Sequence, residues 1–320
     1  SMGLLRELLY AVQMNEISAA IAPTMEIIAP KSYKKAMASM HSKEWSASMS
    51  KEIEGIMSND TLEGPVDLPP GMKALRPWWI YRVKKGIPPT EPAFILKSRL
   101  TIDGSEQREG VDFWESFAAT AKGVTFRVLM IISLLLRMSV HHLDVSNAFL
   151  YAALVEEIYM SDWEGGTLPR GKVWKLKKSL YGLKQAPRNW SGHFKKSILA
   201  LGFLQSQCDP CAYFHFANNC FTWLLVYVDD ILISSQSEAF REEVVGVLKS
   251  VYKLKELGEV SRYVGITVER PKLGVLVLHQ RDYIVVKLVK YNIYVKVFAS
   301  PRKTPLPLDI ATRMLDLETP

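Results

Sequence analysis

Two adjacent carboxylates interrupt an apolar run and are the chain's clearest candidates for chemistry. Asp229 and Asp230 lie within residues 221–233, where the flanking side chains are β-branched, aromatic or aliphatic. Such flanks predict two buried strands that meet at the acidic pair. Because neighbouring carboxylates at a buried hairpin repel each other and lose hydration, a divalent cation is expected beside them. A solvated Asp-Asp turn is the alternative that these residues leave open.

A third carboxylate, Asp144, follows the apolar stretch 128–138 on a short segment with strand character. Phosphoryl transfer with two metal ions requires a few carboxylates that bridge the ions and hold the attacking and leaving oxygens. One Asp on a strand and a pair on a neighbouring hairpin would supply that set. The alternative is that Asp144 is a helix N-cap, with a helix beginning at Val145. His141 and His142 are interpreted as structural neighbours of the strand.

Three segments resemble motifs of reverse transcriptases. Tyr-Val-Asp-Asp at 227–230 resembles the YxDD box, and Asp-Val-Ser-Asn-Ala-Phe-Leu at 144–150 resembles the first catalytic motif. Ser-Leu-Tyr-Gly-Leu-Lys-Gln-Ala-Pro-Arg-Asn-Trp at 179–190 resembles a signature of copia-type LTR retrotransposon polymerases. Further matches follow in the family's order over roughly residues 31–306. The chain is therefore identified as a member of the copia-type reverse transcriptases, as a fragment of a Pol polyprotein.

The resemblance implies an RNA-directed DNA polymerase that transfers nucleotides from dNTPs to a primer 3′-hydroxyl. It implies that Asp144, Asp229 and Asp230 are catalytic. With the carbonyl of Val145, they would ligate two Mg²⁺ ions, Mn²⁺ being possible. Phe149 lies five residues after Asp144, where the family has an aromatic steric gate against the ribose 2′-hydroxyl. An ordinary core phenylalanine is the alternative for Phe149.

The resemblance also implies two sets of ligand contacts. The proposed dNTP pocket comprises Phe149, Lys97, Arg99, Tyr181, Gly182 and Gln185. The expected nucleic-acid contacts are Lys184, Pro187, Arg188, Tyr263 and Gly265. The family's partners would be an RNA or DNA template with its primer, dNTPs, and other Pol and Gag products of the element.

Around the carboxylates, the patterns predict a strand at Asp144, a helix at 188–201, a hairpin at 213–234, a helix at 238–251 and a strand at 262–268. This alternation favours an α+β fold with a βαββαβ sheet. The resemblance makes it the ferredoxin-like palm of a polymerase right hand. The predicted domains are an N-terminal extension at 1–43, a reverse transcriptase at 44–290 (fingers about 44–140 and 151–187, palm about 141–150 and 188–270) and a partial thumb at 271–320.

Composition narrows the function classes. Of 320 residues, 48% are hydrophobic, which excludes a disordered chain. The 40 basic against 33 acidic residues favour a polyanionic partner, with the basic runs 172–178 and 184–188 as candidate phosphate contacts. Three cysteines predict a reducing compartment. A zinc site at Cys208, Cys211, His215 and Cys220 is disfavoured, because residues 209–214 lead into a predicted strand.

The sequence predicts neither a membrane nor a secreted location. Its apolar stretch 128–136 is too short to span a bilayer and is flanked by Arg127 and Arg137. The first thirty residues lack the layout of a signal peptide. The resemblance implies a cytoplasmic location, in a virus-like particle, or a nuclear one.

Several positions depart from the family's pattern. Leu62 stands where the family usually has Trp, and Thr-Ile-Asp at 101–103 replaces a stretch that normally ends in a basic residue. All three active-site carboxylates are present. Because of these departures, the rival function is a catalytically inactive, degenerate nucleic-acid-binding remnant of such an element.

Overall fold

The computed structural model describes residues 27–85, 92 and 94–290, and elements are numbered along these residues. The helices are α1 Tyr33–Met37, α2 Ser42–Ser58, α3 Gly123–Leu135, α4 Ala186–Ala200, α5 Glu238–Val251 and α6 Arg281–Lys290, with 3₁₀ turns at Gly104–Glu106 and Ala148–Tyr151. The first seven strands are β1 Leu62–Asp67, β2 Ala74–Leu75, β3 Pro77–Lys85, β4 Phe94–Ile102, β5 Val140–Val145, β6 Ala153–Met160 and β7 Lys172–Lys178. The remaining strands are β8 Leu204–Gln205, β9 Ala212–Ala217, β10 Cys220–Tyr227, β11 Asp230–Ser235, β12 Leu254–Glu259, β13 Arg262–Tyr263, β14 Ile266–Lys272 and β15 Val275–His279.

The chain divides into two compact units, each built from several segments. The described residues of unit 1 lie within Ser1–Thr120, Val145–Phe203 and Leu248–Lys253. Those of unit 2 lie within Ala121–Asp144, Leu204–Val247 and Leu254–Pro320. The predicted boundaries of fingers, palm and thumb stay predictions. A turn is predicted at the Pro-rich stretch 87–92, which lies outside the described residues except for residue 92. Most of the predicted N-terminal extension and most of the predicted thumb also lie outside them.

Unit 1 contains a four-stranded sheet in the order β1-β7-β6-β2 and a two-stranded β3-β4 ribbon. The helical spacing of Trp45, Met49, Ile53 and Ile56 in the sequence predicts an amphipathic helix. Helix α2 buries Trp45, Met49 and Ile56 and joins them to the unit's core. The fourth buried position is Glu52, whereas the predicted Ile53 is only half-buried. Burial raises the pKa of Glu52, and nearby Arg99 and Lys97 oppose that rise.

A glycine turn of unit 1 contacts the end of strand β4 through backbone groups. The Ile102 N–H donates to the Tyr181 carbonyl at 2.7 Å. Gly182 has a φ of 94°, and a Cβ at this position would lie 2.0 Å from the Ile102 carbonyl oxygen. L-residues with a side chain rarely adopt such a φ, and the contact leaves no space for one. This turn therefore requires glycine.

Unit 2 is built on a six-stranded sheet in the order β12-β5-β11-β10-β9-β8. The predicted hairpin is confirmed as the antiparallel pair β10-β11, which is flanked by β9. Since His215 lies within β9 and Cys220 begins β10, both follow extended backbone, as the strand prediction required. Leu224, Ile231 and Ile233 are fully buried at the centre of the sheet.

The predicted final strand of this sheet is wrong. Its edge strand is β12, whereas residues 262–268 contribute to a separate three-stranded sheet, β13-β14-β15. Positive φ angles at Val264 and Gly265 separate β13 from β14. Strand β12 is almost wholly exposed and rich in charge, which is common at sheet edges and gives no alternating hydrophobic signal.

Two helix predictions have different outcomes. The helix predicted after Pro187 is confirmed as α4, which buries Trp190, Phe194 and Ile198 on one face. The stretch 125–138 is apolar nearly all round and predicts a helix buried on every side, but the buried residues of α3 lie on one side and exposed Val128 and Ile131 lie elsewhere. Among the helices of residues 27–85 and 94–290, none is long and apolar enough to cross a membrane.

We expect Gly182→Ala to lower the free energy of unfolding by about 2 kcal/mol or more, because positive φ and close contact both oppose a side chain. Gly192 is the matched control, since it lies within α4 and a Cβ there would meet nothing within 4 Å. Gly192→Ala should raise stability by up to about 1 kcal/mol. Urea unfolding followed by circular dichroism measures both effects. A wild-type midpoint for Gly182→Ala would contradict the described turn.

Candidate active site

The acidic pair lies at a tight turn between β10 and β11. Tyr227 and Asp230 are paired across the two strands, so Val228 and Asp229 form the loop. Val228 has a φ of 57°, which is a strained conformation for a β-branched residue. Strain of about 1–3 kcal/mol is found mainly at functional sites, where the surrounding structure maintains it. The turn places both carboxylates at one end of the hairpin.

Asp144 lies directly opposite Asp230. Strands β5 and β11 are antiparallel, and Asp144 and Asp230 are register partners. Directly opposed residues share a face of the sheet, and like charges in such a pair are destabilising. Asp144 lies inside β5, so the helix N-cap alternative is wrong. The sheet therefore brings together two of the predicted catalytic carboxylates, with Asp229 on the adjoining turn.

The chemistry of these carboxylates fits a divalent cation. Within residues 27–85, 92 and 94–290, no group of three or more His, Cys, Asp and Glu side chains is gathered closely enough to hold a metal alone. Mg²⁺ commonly uses one or two carboxylates and completes its shell with water and substrate phosphates. Asp144 and Asp230 supply such a pair of hard oxygen donors. The side chain of Val145, the last residue of β5, is buried.

His142, which was expected to be a structural neighbour of the strand, contacts Asp230 of this pair. His142 Nε2 lies 3.0 Å from Asp230 Oδ1. His142 precedes Asp144 by two residues on β5, so both lie on the same face of the strand. The interpretation of His142 as a structural neighbour of the strand stays a prediction, and the structure adds its contact with Asp230. The spacing of two residues was the signal for this shared face.

Tyr263 is buried behind His142. Its side chain is 3% exposed, stacks on Phe126 at 5.0 Å and meets the His142 ring edge-on at 6.2 Å. Burial raises the pKa of the Tyr263 hydroxyl, which has no hydrogen-bond partner in the described part of the chain. Because the ring is buried, its side chain does not offer the direct nucleic-acid contact that was expected. Gly265 lies just beyond it, at the bend before β14.

Three residues of the expected nucleotide pocket contact one another in unit 1. The Phe149 ring packs edge-on against Tyr181, with centroids 5.0 Å apart. The Arg99 guanidinium carbon lies 4.1 Å from the centroid of the Tyr181 ring, a cation–π distance. Lys97 lies two residues before Arg99 on β4, on the same face of that strand.

Gln185 has a different environment from that of a ligand contact. Its side chain is 1% exposed, and its Nε2 donates to the Asp112 carbonyl at 2.9 Å. Its Oε1 accepts a hydrogen bond from Gln107 Nε2, also at 2.9 Å. The Lys184 backbone N–H donates to the Gln107 side chain at 2.8 Å. Gln185 therefore connects the loop that contains Gln107 and Asp112 to the segment that follows the turn at 181–182. Both ends of its side-chain amide already form hydrogen bonds within the protein.

The other expected nucleic-acid contacts surround the start of α4. Lys184 Nζ lies 4.5 Å from the centroid of the Phe113 ring. Arg188 forms an ion pair with Glu115, and Pro187 lies in the first turn of the helix. Both cations thus contact side chains of unit 1.

The basic run on β7 is largely neutralised. Three of its lysines form ion pairs, namely Lys172 with Asp67, Lys175 with Glu157 and Lys177 with Asp60. The ammonium of Lys178 donates to the Asn59 carbonyl at 2.6 Å. Exposed pairs of this kind contribute little to stability, but they cancel the positive charge that phosphates would meet.

Comparison with known proteins agrees with these motifs. Residues 61–304 match the family described as reverse transcriptase (RNA-dependent DNA polymerase). The chain is 35% identical over 281 residues to a retrovirus-related Pol polyprotein from transposon TNT 1-94 of Nicotiana tabacum, covering 87% of this chain and 21% of that protein. It is 30% identical over 274 residues to the Pol polyprotein from transposon RE2 of Arabidopsis thaliana, covering 85% and 18%. The chain thus spans about a fifth of the length of these relatives.

Among solved structures, the chain is similar to a foamy viral protease-reverse transcriptase in complex with double-stranded DNA. The TM-score is 0.39 at 12% sequence identity, over 76% of this chain and 37% of that one. The family match itself extends over most of the chain and includes the acidic pair, Asp144 and the segment 179–190. The copia-type resemblance is confirmed by the transposon relatives, and the chain belongs to the reverse transcriptase (RNA-dependent DNA polymerase) family.

Proposed function

We propose that this chain is the polymerase domain of a retrotransposon Pol polyprotein and copies RNA into DNA, with single-stranded DNA as a second template. The observation that carries the proposal is the register of β5 and β11, which opposes Asp144 to Asp230 beside Asp229. Its partners would be a primed template, dNTPs and other Pol and Gag products of the element.

The reaction is a nucleotidyl transfer. The primer 3′-oxygen attacks the α-phosphorus of a dNTP, a new O–P bond forms, and the bond to pyrophosphate breaks. Two bound Mg²⁺ or Mn²⁺ ions would lower the pKa of the attacking hydroxyl and neutralise charge on the triphosphate. Asp144, Asp229 and Asp230 would hold these ions, with the Val145 carbonyl as a further ligand. Strand pairing sets the separation of the two opposed carboxylates before any substrate arrives.

We assign the six-stranded sheet to a ferredoxin-like palm. Its order is β12-β5-β11-β10, with β9 and β8 added at one side. Taken in chain order as strands one to four, β5, β10, β11 and β12 give the arrangement 4-1-3-2. This arrangement supports a βαββαβ palm. The fingers and the partial thumb remain assigned to the segments expected from sequence.

We assign nucleotide selection to the cluster of Phe149, Tyr181 and Arg99. Phe149 would exclude a ribose 2′-hydroxyl, and its ring packs edge-on against Tyr181. Arg99 and Lys97 would form charge-assisted hydrogen bonds to the triphosphate. Gly182 would allow close backbone approach, whereas the buried amide of Gln185 supports the turn from behind.

We assign the main electrostatic contact with the template to one face of the β3-β4 ribbon. Arg82 is paired with Lys97 across the strands, and the alternation of a strand places Lys84 and Arg99 on the same face. Neither strand contains an Asp or Glu. Trp78, which is 50% exposed, lies on this face and offers a ring on which a base could stack. Lys184, Pro187, Arg188 and Gly265 remain proposed contacts with the template–primer.

We expect primer extension on an RNA template to require Mg²⁺ or Mn²⁺. In Asp230→Asn it should fall at least about a hundredfold, as when a contact with transition-state charge is removed. Asp67→Asn is the matched control, because Asp67 is an exposed carboxylate paired with Lys172. Wild-type extension by Asp230→Asn would contradict the metal assignment. A wild-type chain that binds template–primer without extending it would support the inactive remnant instead.

Phe149→Ala should admit ribonucleotides, because the space beside the sugar 2′-position becomes open. We expect the rNTP/dNTP incorporation ratio to rise more than tenfold, which corresponds to about 1.4 kcal/mol of discrimination. Phe149→Tyr retains the ring and should keep the wild-type ratio. Since the ratio is measured within one preparation, altered stability does not affect it. An unchanged ratio in Phe149→Ala would mean that Phe149 is only a core residue.

Binding of the template–primer should weaken with salt and depend little on base sequence, because backbone phosphates carry the contact. Arg82→Ala with Lys84→Ala should reduce the slope of log affinity against log salt by up to about 2. Lys172→Ala with Lys175→Ala removes the same charge from ion-paired positions and should change the slope less. Fluorescence anisotropy with two unrelated heteroduplexes measures both slopes. Equal slope changes in the two double variants would rule out the ribbon as the preferred track.

A further inference from the structure

We infer that His142 is a positioning residue for the carboxylate of Asp230, and that it thereby raises the affinity of the site for a divalent cation. The inference rests on the proposed function, since it concerns the same carboxylates. It adds a residue that lies outside the three reverse transcriptase motifs.

The register of the sheet places His142 within hydrogen-bonding reach of Asp230. His142 is opposite Leu232, and Asp144 is opposite Asp230. His142 and Asp230 are therefore diagonal neighbours on one face of the sheet, a separation that a long side chain can bridge. The Nε2–H of His142 donates to Asp230 Oδ1 across 3.0 Å. The second oxygen, Oδ2, is not part of this bond and can serve as a ligand.

The imidazole is itself held in place. Its side chain is 13% exposed, Tyr263 contacts it edge-on, and Phe126 stacks on that tyrosine ring. Leu232, its partner across the strands, is fully buried. The ring therefore has little freedom to leave Asp230. A carboxylate with one fixed donor loses fewer orientations when a cation binds.

Hydrogen bonds of this kind have a known effect on metal sites. Partners that orient a ligating side chain typically change metal affinity by about 10–100-fold when they are removed. The effect depends on the N–H donor and its direction, whereas a purely structural role depends on the shape of the side chain. Variants that separate donor from shape therefore test the inference.

The test is a titration of the full chain with Mn²⁺, in which electron paramagnetic resonance measures the free ion and no catalysis is needed. His142→Phe keeps an aromatic ring beside Tyr263 without a donor, and His142→Gln keeps an N–H donor on a flexible side chain. His141→Ala is the matched control, because His141 lies on the opposite face and contacts Ser139 instead. Asp230→Asn reports on the metal site itself. Near-ultraviolet circular dichroism checks folding, and His142→Leu is the second donor-free variant if His142→Phe does not fold.

We expect the dissociation constant for Mn²⁺ to rise roughly tenfold or more in His142→Phe, to rise less in His142→Gln, whose donor is less fixed, and to stay close to wild type in His141→Ala. Asp230→Asn should lose the site. Wild-type affinity in His142→Phe, together with loss in Asp230→Asn, would overturn the inference and leave the proposed function intact. Equal weakening in His142→Gln and His142→Phe would overturn the role of the donor. Wild-type affinity in Asp230→Asn would instead contradict the assignment of a metal site to Asp230, on which the proposed function depends.

Discussion

The opposition of two negative charges across β5 and β11 is the constraint on which the proposed site depends. Asp144 and Asp230 are register partners, and their repulsion disfavours the pairing until a cation joins them. Buried neighbours maintain the register, because Leu143 and Ile231 are also paired and fully buried. A slip by one residue would move these apolar side chains to the other face of the sheet. Hydrophobic burial thus supports an electrostatic arrangement that the carboxylates alone would not adopt.

The positions of the pocket residues in unit 1 depend on a different constraint. Two backbone segments lie in close contact, and buried polar side chains stabilise that contact. The turn at 181–182 contacts the end of β4 through the Ile102 N–H and requires glycine at Gly182. Gln185 and Gln107 connect this region to a loop far away in the chain. Their amides are buried, so each lost hydrogen bond would leave an unsatisfied group. Tyr181 is thereby held in contact with both Phe149 and Arg99. These two expected ligand contacts therefore pack on the same tyrosine ring.

Charge in unit 1 is distributed unevenly in space, although the net charge of the chain is modest. The lysines of β7 meet acids from neighbouring segments, whereas Arg82 and Lys84 of β3 form no ion pair with another described residue. A polyanion would therefore encounter a more positive surface on the β3-β4 ribbon than on β7. Counting basic residues along the sequence does not reveal this difference, because the partners of the β7 lysines lie in other segments of the chain.

The sequence by itself determined the family, the three carboxylates, the β10-β11 hairpin and the helix after Pro187, because each depends on a local motif or a short hydrophobic period. Only the tertiary structure decided which residues meet across long separations. His142 and Asp230 are 88 positions apart, and Gln107 and Gln185 are 78 apart. Burial of Glu52, exposure of one side of α3 and the edge position of β12 likewise depend on neighbours from distant segments. Periodicity shows which face of an element is apolar, but the pairing of strands and the packing of loops decide what that face contacts.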